Sequence, residues 1–343
     1  MPARLVAAVI FSDDVGMAAD GKERWFRRGI NLGNALDTGR DGEPRLRLEE
    51  RYFDDLRNVG FDTVRLPVRW SAHADESAPY ALDPTFFERV DWAIGNALRR
   101  HLTVVLNVHH YHELQDAPHE HEARFVSLWQ QIAARYVDHS GRLYFELLNE
   151  PRSAMTAQLW NRLLLKGLAA VRESHPDRIV IVGPTRMNDI DALPELELPS
   201  DDDVIATVHY YAPLEFTHQG APWTAGADQW LGTTWGADSD RDAVRRDLTR
   251  AATWAHDHGR HMFVGEFGAY NKADMASRLR WTTFVRTEAE RLGLSWCYWD
   301  FGTDFGVFDP EHDTWRVPLR EALLPKDDRR PSRSPGRRPS AAR

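Results

Sequence analysis

Short runs rich in Val, Ile, Leu and aromatic residues alternate along this chain with stretches whose apolar positions recur at helical spacing. The runs fall at 28–32, 63–67, 103–108, 143–148, 179–182, 204–209, 261–265 and 294–299. They are nearly continuous in apolar character, as parallel strands covered on both faces are. Between them, Phe86, Phe87, Val90, Trp92, Ala93, Ile94, Ala97 and Leu98 repeat with the period of a helix, and so do Phe125, Leu128, Trp129, Ile132, Ala133 and Tyr136. Ser153 and Thr156 stand where a cap would open a helix through Leu159 and Leu163. Eight strand–helix units predict an α/β fold, a single (β/α)8 barrel of TIM type, with a doubly wound sheet as the alternative. The body, 25–324, has no internal linker and no repeat of fixed period, so it reads as one domain.

The ends read differently. Residues 1–24 form a poorly defined extension in which 5–11 is apolar behind Arg4, at the lower length limit of a signal-peptide core, with Asp13 and Asp14 following directly. The compartment stays open: cytoplasmic on sequence alone, extracellular if the start is misassigned. Residues 325–343 carry seven basic and two acidic side chains among Pro and Ser, and read as a disordered tail. The net charge of −9 therefore divides into +5 on the tail and −14 on residues 1–324. An acidic body argues against nucleic acid as a partner. The absence of an apolar run of about 18 residues argues against a membrane span. Cys297 is the sole cysteine, which excludes an internal disulfide and a cysteine-cluster metal site. The 13 Trp, 15 Phe and 9 Tyr suit a neutral ligand with apolar ring faces, such as a sugar, and equally suit a large core. A monomer is expected.

In a barrel of this kind the reaction site lies at the carboxyl ends of the strands, and there this chain places functional side chains. Strand 1 runs out at Asn34 and Asp37, strand 2 contains Arg65, and strand 3 ends at Asn107, His109 and His110. Strand 4 ends at Asn149 and Glu150, strand 6 at His209 and Tyr211, strand 7 at Glu266, and strand 8 at Trp299 and Asp300. Glu150 and Glu266 each follow an apolar run, where a carboxylate is costly to desolvate without a partner. Glycosidic cleavage uses two carboxyl groups across one bond, about 5–5.5 Å apart when configuration is retained. Glutamates from strands 4 and 7, on opposite sides of the barrel, can meet at such a distance. Arg65 inside an apolar strand needs a buried anion. A nucleophilic Glu266 would supply it and be held ionised by it, so Glu150 would need a raised pKa and Glu266 a low one.

The remaining strand-end residues fit supporting tasks. Asn149 offers an amide donor to a sugar hydroxyl, and Tyr211 a hydrogen bond to Glu266. His109 and His209 bind hydroxyls or orient the glutamates. Trp299 offers a flat face to a pyranose ring, with core packing as the alternative, while Tyr298 points to the other face of the barrel wall. The cluster His109-His110-Tyr111-His112-Glu113 invites a metal reading, but it sits at a strand end without H-E-x-x-H spacing, and no metal site is expected. Neither a phosphate-binding glycine loop nor a G-x-S-x-G elbow is present.

The ordered set Arg28-Gly29-Ile30-Asn31-Leu32-Gly33-Asn34, Val64-Arg65-Leu66-Pro67, Leu106-Asn107-Val108-His109-His110, Leu148-Asn149-Glu150-Pro151, Thr207-Val208-His209-Tyr210-Tyr211, Gly265-Glu266-Phe267-Gly268 and Tyr298-Trp299-Asp300-Phe301 resembles glycoside hydrolase family 5. The resemblance runs from about Arg27 to Leu324. The segments 216–223 and 265–272 are most similar to its bacterial endoglucanase branch, whose thermophilic members cleave both β-1,4-glucan and β-1,4-mannan. The resemblance implies a retaining mechanism with Glu150 as acid/base and Glu266 as nucleophile. It implies a reaction-site shell of Arg65, His109, Asn149, His209, Tyr211 and Trp299. It implies substrate-binding positions at Asn34, His110, His218 and Trp223, and at Asp37, where close relatives usually carry the longer Glu. It also implies no cofactor, and a β-linked polysaccharide or oligosaccharide as partner. The expected activity is that of a retaining endo-β-1,4-glucanase, with mannan as a second substrate. The alternatives are a β-mannanase, an exo-acting β-glucosidase, or a polysaccharide-binding protein without catalysis.

Overall fold

The computed structural model describes residues 26–39 and 42–326. The N-terminal extension and all of the basic tail beyond Lys326 lie outside the described residues. Eight parallel strands close in sequence order: β1 (Arg28–Asn31), β2 (Thr63–Leu66), β3 (Thr103–Asn107), β4 (Leu143–Glu146), β5 (Val180–Val182), β6 (Val204–Tyr210), β7 (Met262–Phe267) and β8 (Ser295–Tyr298). Pairing of β8 back onto β1 makes the fold a (β/α)8 barrel and removes the doubly wound alternative. Each strand coincides with one of the apolar runs, apart from a residue or two at the ends.

Two apolar layers explain why those runs are continuous. Phe26, Val105, Tyr144, Ile179, Ile181, Ile205, Phe263 and Cys297 form a separate cluster inside the barrel. The alternate positions, among them Ile30, Val64, Val104, Phe145, Val180, Val264 and Trp296, join the larger core between strands and helices. Towards the carboxyl ends of the strands the buried complement includes Asn31, Arg65, Asn107, Glu146, Thr207 and His209, and apolar floor gives way to polar side chains.

Helices cover the strands where the sequence carries the helical period. Asp83 accepts from Thr85 N at the start of the helix Pro84–Arg99. Thr156 accepts from Leu159 N before Ala157–Arg172, and Asp274 from Ser277 N before Met275–Arg291. Thr156 is thus the cap, and Ser153 lies in the preceding turn with a positive φ of 59°. The helix Ala157–Arg172 turns Trp160, Leu163, Leu164, Leu168 and Val171 inward. Between β5 and β6 the repeat is broken. The chain passes through Arg186, Met187 and Asn188, all at positive φ, and a 3-10 turn at Ile190–Glu195 instead of a long helix. No helix among the described residues is long and apolar enough to cross a membrane.

Much of the tryptophan content is structural. Trp70, Trp129, Trp160, Trp281 and Trp296 are fully buried. Four of these indoles donate to main-chain oxygens at or beyond strand ends: Trp70 to Asn107 O at 3.0 Å, Trp129 to Leu147 O at 3.0 Å, Trp160 to Gly183 O at 2.8 Å and Trp281 to Ala212 O at 3.1 Å. A buried carbonyl left without a donor would cost about 1–3 kcal/mol, so each indole both fills the core and satisfies a strand terminus.

Barrel closure leaves no room at one inward position. A Cβ on Gly29 would stand 2.2 Å from Cys297 Sγ and 3.1 Å from Thr63 Cβ. Gly29→Ala is therefore expected to destabilise the fold by about 1–3 kcal/mol through overpacking. Denaturant unfolding checks this, and Cys297→Ala in the same chain should recover part of the loss.

Candidate active site

The two glutamates reach the barrel mouth by different local devices. Glu150 stands four residues past β4 in a left-handed backbone conformation, with φ of 47°. Glu266 lies within β7, where strict alternation would aim it outward beside Val264. The pairing register shifts between Val208 and His209 against β6, and between Val264 and Phe267 against β8. Such an irregularity changes the phase of the side chains. Gly265 and Glu266 both face the interior, and Phe267 returns to the outer core. The strands β4 and β7 are three places apart around the barrel rather than opposite.

The carboxylates are close. One oxygen of each and a ring nitrogen of His209 all lie within 4.8 Å of one another. His209 Nδ1 is 2.8 Å from Glu150 Oε1 and 3.6 Å from Glu266 Oε2. Asn188 Nδ2 stands 3.2 Å from His209 Nε2, which makes Nε2 the acceptor and puts the ring proton on Nδ1, facing Glu150. The carboxyl spacing is well short of the ~6.5–9.5 Å of an inverting pair and suits a retaining one.

Arg65 is buried completely and spends all five N–H donors. Nε and Nη2 grip Glu146 Oε2 and Oε1, each at 2.7 Å, and Nη2 also donates to Asn149 Oδ1 at 2.7 Å. Nη1 donates to Glu266 Oε1 at 2.6 Å and to Asn31 Oδ1 at 2.8 Å. Tyr211 adds its hydroxyl to Glu266 Oε2 at 2.8 Å. Glu266 is thus an anion for Arg65, as the sequence suggests, but Glu146 takes the two-pronged contact. Glu146 was legible as an acid within the run 143–148, two strands from an inward arginine, and sequence reasoning passed over it.

Burial and unequal partners set the two carboxyl groups apart electrostatically. Burial pushes the Glu266 carboxyl above its ordinary range; His209, Arg65 and the Tyr211 hydrogen bond oppose this incompletely, and the Glu150 charge adds to it. Burial also pushes Glu150 up, but the hydrogen bond from His209 and the charges of Arg152 and Arg65 together hold it below its usual value. This ordering is the reverse of the raised acid and lowered nucleophile expected from sequence. Arg152, which donates from Nη1 to Glu150 Oε2 at 3.0 Å, is the contributor the sequence reading omitted.

Around this pair the other nominated residues occupy the same rim. The His109 ring lies parallel to Trp299, with centroids 5.9 Å apart and planes within 4°. The Trp299 indole crosses Gly33, where a Cβ would meet it at 2.6 Å, while Tyr298 packs outward at 5.5 Å from Phe267. His110 Nε2 is 3.9 Å from Asp37 Oδ2. Burial raises the Asp37 carboxyl to about 6 and lowers His110 to about 4. Asp37 Oδ1 and His110 Nδ1 are buried without hydrogen-bond partners. Asn34 Nδ2 donates to Thr303 Oγ1 at 3.0 Å and to Asp300 Oδ2 at 3.5 Å, and burial raises Asp300 to about 7. His218 packs edge-on against Tyr211 at 5.0 Å and Trp223 at 6.4 Å. The half-exposed Trp223 in turn meets Tyr270 at 5.0 Å and Phe305 at 6.2 Å. Tyr270 and Phe305 complete this aromatic wall from loops whose shape no periodicity reveals.

Asp37, His109 and His110 each bring one metal-ligand type of atom within 4.8 Å of the others. Nδ1 of His109 is already 3.1 Å from the Asn107 amide. The i, i+4 helical pair of a zinc motif is not formed, because His109 and His110 precede the short helix His112–Asp116.

Removing Glu146 would leave Arg65 short of a buried counter-charge, and breaking a buried pair from one side costs about 3–5 kcal/mol. Glu146→Ala is expected to lose stability on that scale. Urea unfolding of the purified variant reads the loss, and one below about 1 kcal/mol would show that the two-pronged contact carries little.

Comparison with known proteins agrees with this geometry. The family described as cellulase (glycosyl hydrolase family 5) matches residues 26–304. Endoglucanase H of Acetivibrio thermocellus is 32% identical over 302 residues, which are 86% of this chain and 32% of that protein, so this chain spans about a third of that relative. Endoglucanase B of Clostridium cellulovorans is 30% identical over 84% of this chain and 71% of its own. Among solved structures, Cel5A of Thermotoga maritima in complex with cellobiose superposes with a TM-score of 0.86 at 43% identity, covering 87% of this chain and 97% of that one. The same enzyme in complex with mannotriose gives 0.86 at 42% identity, over 88% and 98%. With the family matched across the whole barrel and both glutamates at its mouth, this chain belongs to glycosyl hydrolase family 5.

Proposed function

We propose that the protein is a retaining endo-β-1,4-glucanase that also accepts β-1,4-mannan. The observation that carries this reading is the pair of carboxylates within 4.8 Å, the buried Glu266 held by Arg65 and Tyr211 and the partly exposed Glu150 by His209. Glu266 attacks the anomeric carbon while Glu150 gives its proton to the departing oxygen. Water then cleaves the glycosyl-enzyme, with Glu150 taking the water proton as base. Arg65 and Tyr211 each donate one hydrogen bond to Glu266, and the oxygens of Asn31 and Asn149 fix the same guanidinium by accepting from it. Trp299 and Trp223, which both belong to the aromatic wall around Phe305, offer ring faces to the sugars. The glucan and mannan preference draws support from the similarity to an enzyme captured with both cellobiose and mannotriose.

Product analysis on carboxymethylcellulose, barley glucan and glucomannan is expected to give mixed short oligosaccharides, and proton NMR a β anomer as the first product. An initial α anomer would contradict retention. Monosaccharide alone would indicate exo action, and binding without turnover would favour a polysaccharide-binding protein.

Glu266→Ala is expected to lose turnover by at least about four orders of magnitude, as removal of a nucleophile does. Azide should restore part of it and yield an α-glycosyl azide, the inverted product. Glu150→Ala with azide and an activated aryl glycoside should yield the β-glycosyl azide instead. Identical azide products from the two variants would refute the division of roles.

A further inference from the structure

Glu150 is gripped on both oxygens. His209 Nδ1 donates to Oε1 at 2.8 Å and Arg152 Nη1 to Oε2 at 3.0 Å. An acid that protonates a leaving oxygen must carry its proton on an oxygen open to the sugar. With the His209 proton fixed towards Oε1 by Asn188, the acid proton has Oε2 as its seat, and that oxygen is the one held by a permanent cation.

The two grips are built differently. His209 comes from β6, is buried, and is braced by Asn188. Arg152 sits two residues beyond Glu150 in the turn after β4, with 28% of its side chain exposed. Among the described residues its guanidinium makes no other hydrogen bond or ion pair than the one to Glu150. One grip is part of the barrel wall, and the other reaches in from a rim turn with Glu150 as its sole partner among the described residues.

We propose that Arg152 is a displaceable clamp on the acid: a sugar unit bound on the leaving-group side draws the guanidinium off Glu150 Oε2 onto its own hydroxyls. Arg152 is then a positioning residue that makes the proton affinity of Glu150 depend on occupancy of that side. The inference rests on the glycosidase reading above. A neutral polyol is a fitting competitor, since its hydroxyls accept from the guanidinium without adding charge to a site that already holds two carboxylates.

The surroundings leave few other movable charges. Facing Glu150 are Arg65 from β2, His110 after β3, His209 from β6, Tyr211 and His218 beyond β6, and Glu266 from β7. All five donors of Arg65 are engaged. Burial lowers His110 and His218 to about 4, so both are neutral at working pH, and it raises Tyr211 well above its ordinary value. Departure of Arg152 removes one of the charges that hold Glu150 low, while burial and the Glu266 charge continue to push it up. The inverted order of the two glutamates is thereby corrected when substrate is present.

The test is a pair of pH profiles. In the free enzyme Glu150 is the lower of the two glutamates, so its titration sets the acid limb of kcat/KM, whereas in the complex, with the order corrected, it sets the alkaline limb of kcat. In the unmodified protein the kcat limb is expected at the higher pH. Arg152→Met should raise the acid limb of kcat/KM by about one pH unit and close the gap. Arg152→Lys, which keeps a cation, should retain part of it. Carboxyl 13C NMR on the Glu266→Gln protein provides a reading that needs no turnover. There Glu150 should titrate about one pH unit higher on addition of saturating cellotetraose, and likewise on Arg152→Met without sugar. An acid limb of kcat/KM unmoved by Arg152→Met, or a Glu150 titration indifferent to both changes, overturns the clamp. The NMR response in a protein that cleaves no glycan would overturn the glycosidase reading and uphold the clamp.

Discussion

One buried guanidinium organises the mouth of this barrel. Arg65 satisfies Glu146, Glu266, Asn149 and Asn31 at once, joining β1, β2, β4 and β7 through contacts of 2.6–2.8 Å. A charge in the interior is tolerable only when its partners are complete, so the positions of these four side chains are mutually dependent. Glu266 is oriented by a contact it shares with a structural carboxylate, and Asn149 fixes the chain immediately before Glu150. The geometry of both glutamates follows from a residue that reacts with nothing.

That arrangement has an electrostatic side. Burial and the neighbouring Glu150 charge leave Glu266 above its ordinary range in spite of Arg65, His209 and Tyr211. Glu150, gripped by His209 and Arg152, is held below its own. The roles proposed for the two glutamates need the opposite order. The barrel wall fixes Arg65, Glu146 and His209, so the adjustable part of the balance lies in the rim turn that carries Arg152.

The architecture was readable because both layers of each strand are apolar, which made the strands visible as uninterrupted runs, and because polar residues gathered at their carboxyl ends. The break after β5 was not, since three successive residues at positive φ carry no glycine to announce them. Glu266 illustrates a subtler limit. Its inward aim depends on a register shift beside Gly265, and strand alternation alone would have turned it to the helices. Glu146, Asn188 and Arg152 escaped notice for another reason: each acts on a neighbour distant in sequence or hidden by a turn, and spacing along the chain does not encode that pairing. The surplus of aromatics divided between both readings that composition allowed, with buried indoles in the shell and Trp223 and Trp299 at the rim.

The indoles of Trp70, Trp129, Trp160 and Trp281 hold main-chain oxygens at or just past the strand ends. The helical shell is thus riveted to the sheet around the lip that carries the chemistry. Loops rising from that lip can change in length and composition while their roots stay anchored, which lets new ligand preferences evolve above an unmoved foundation.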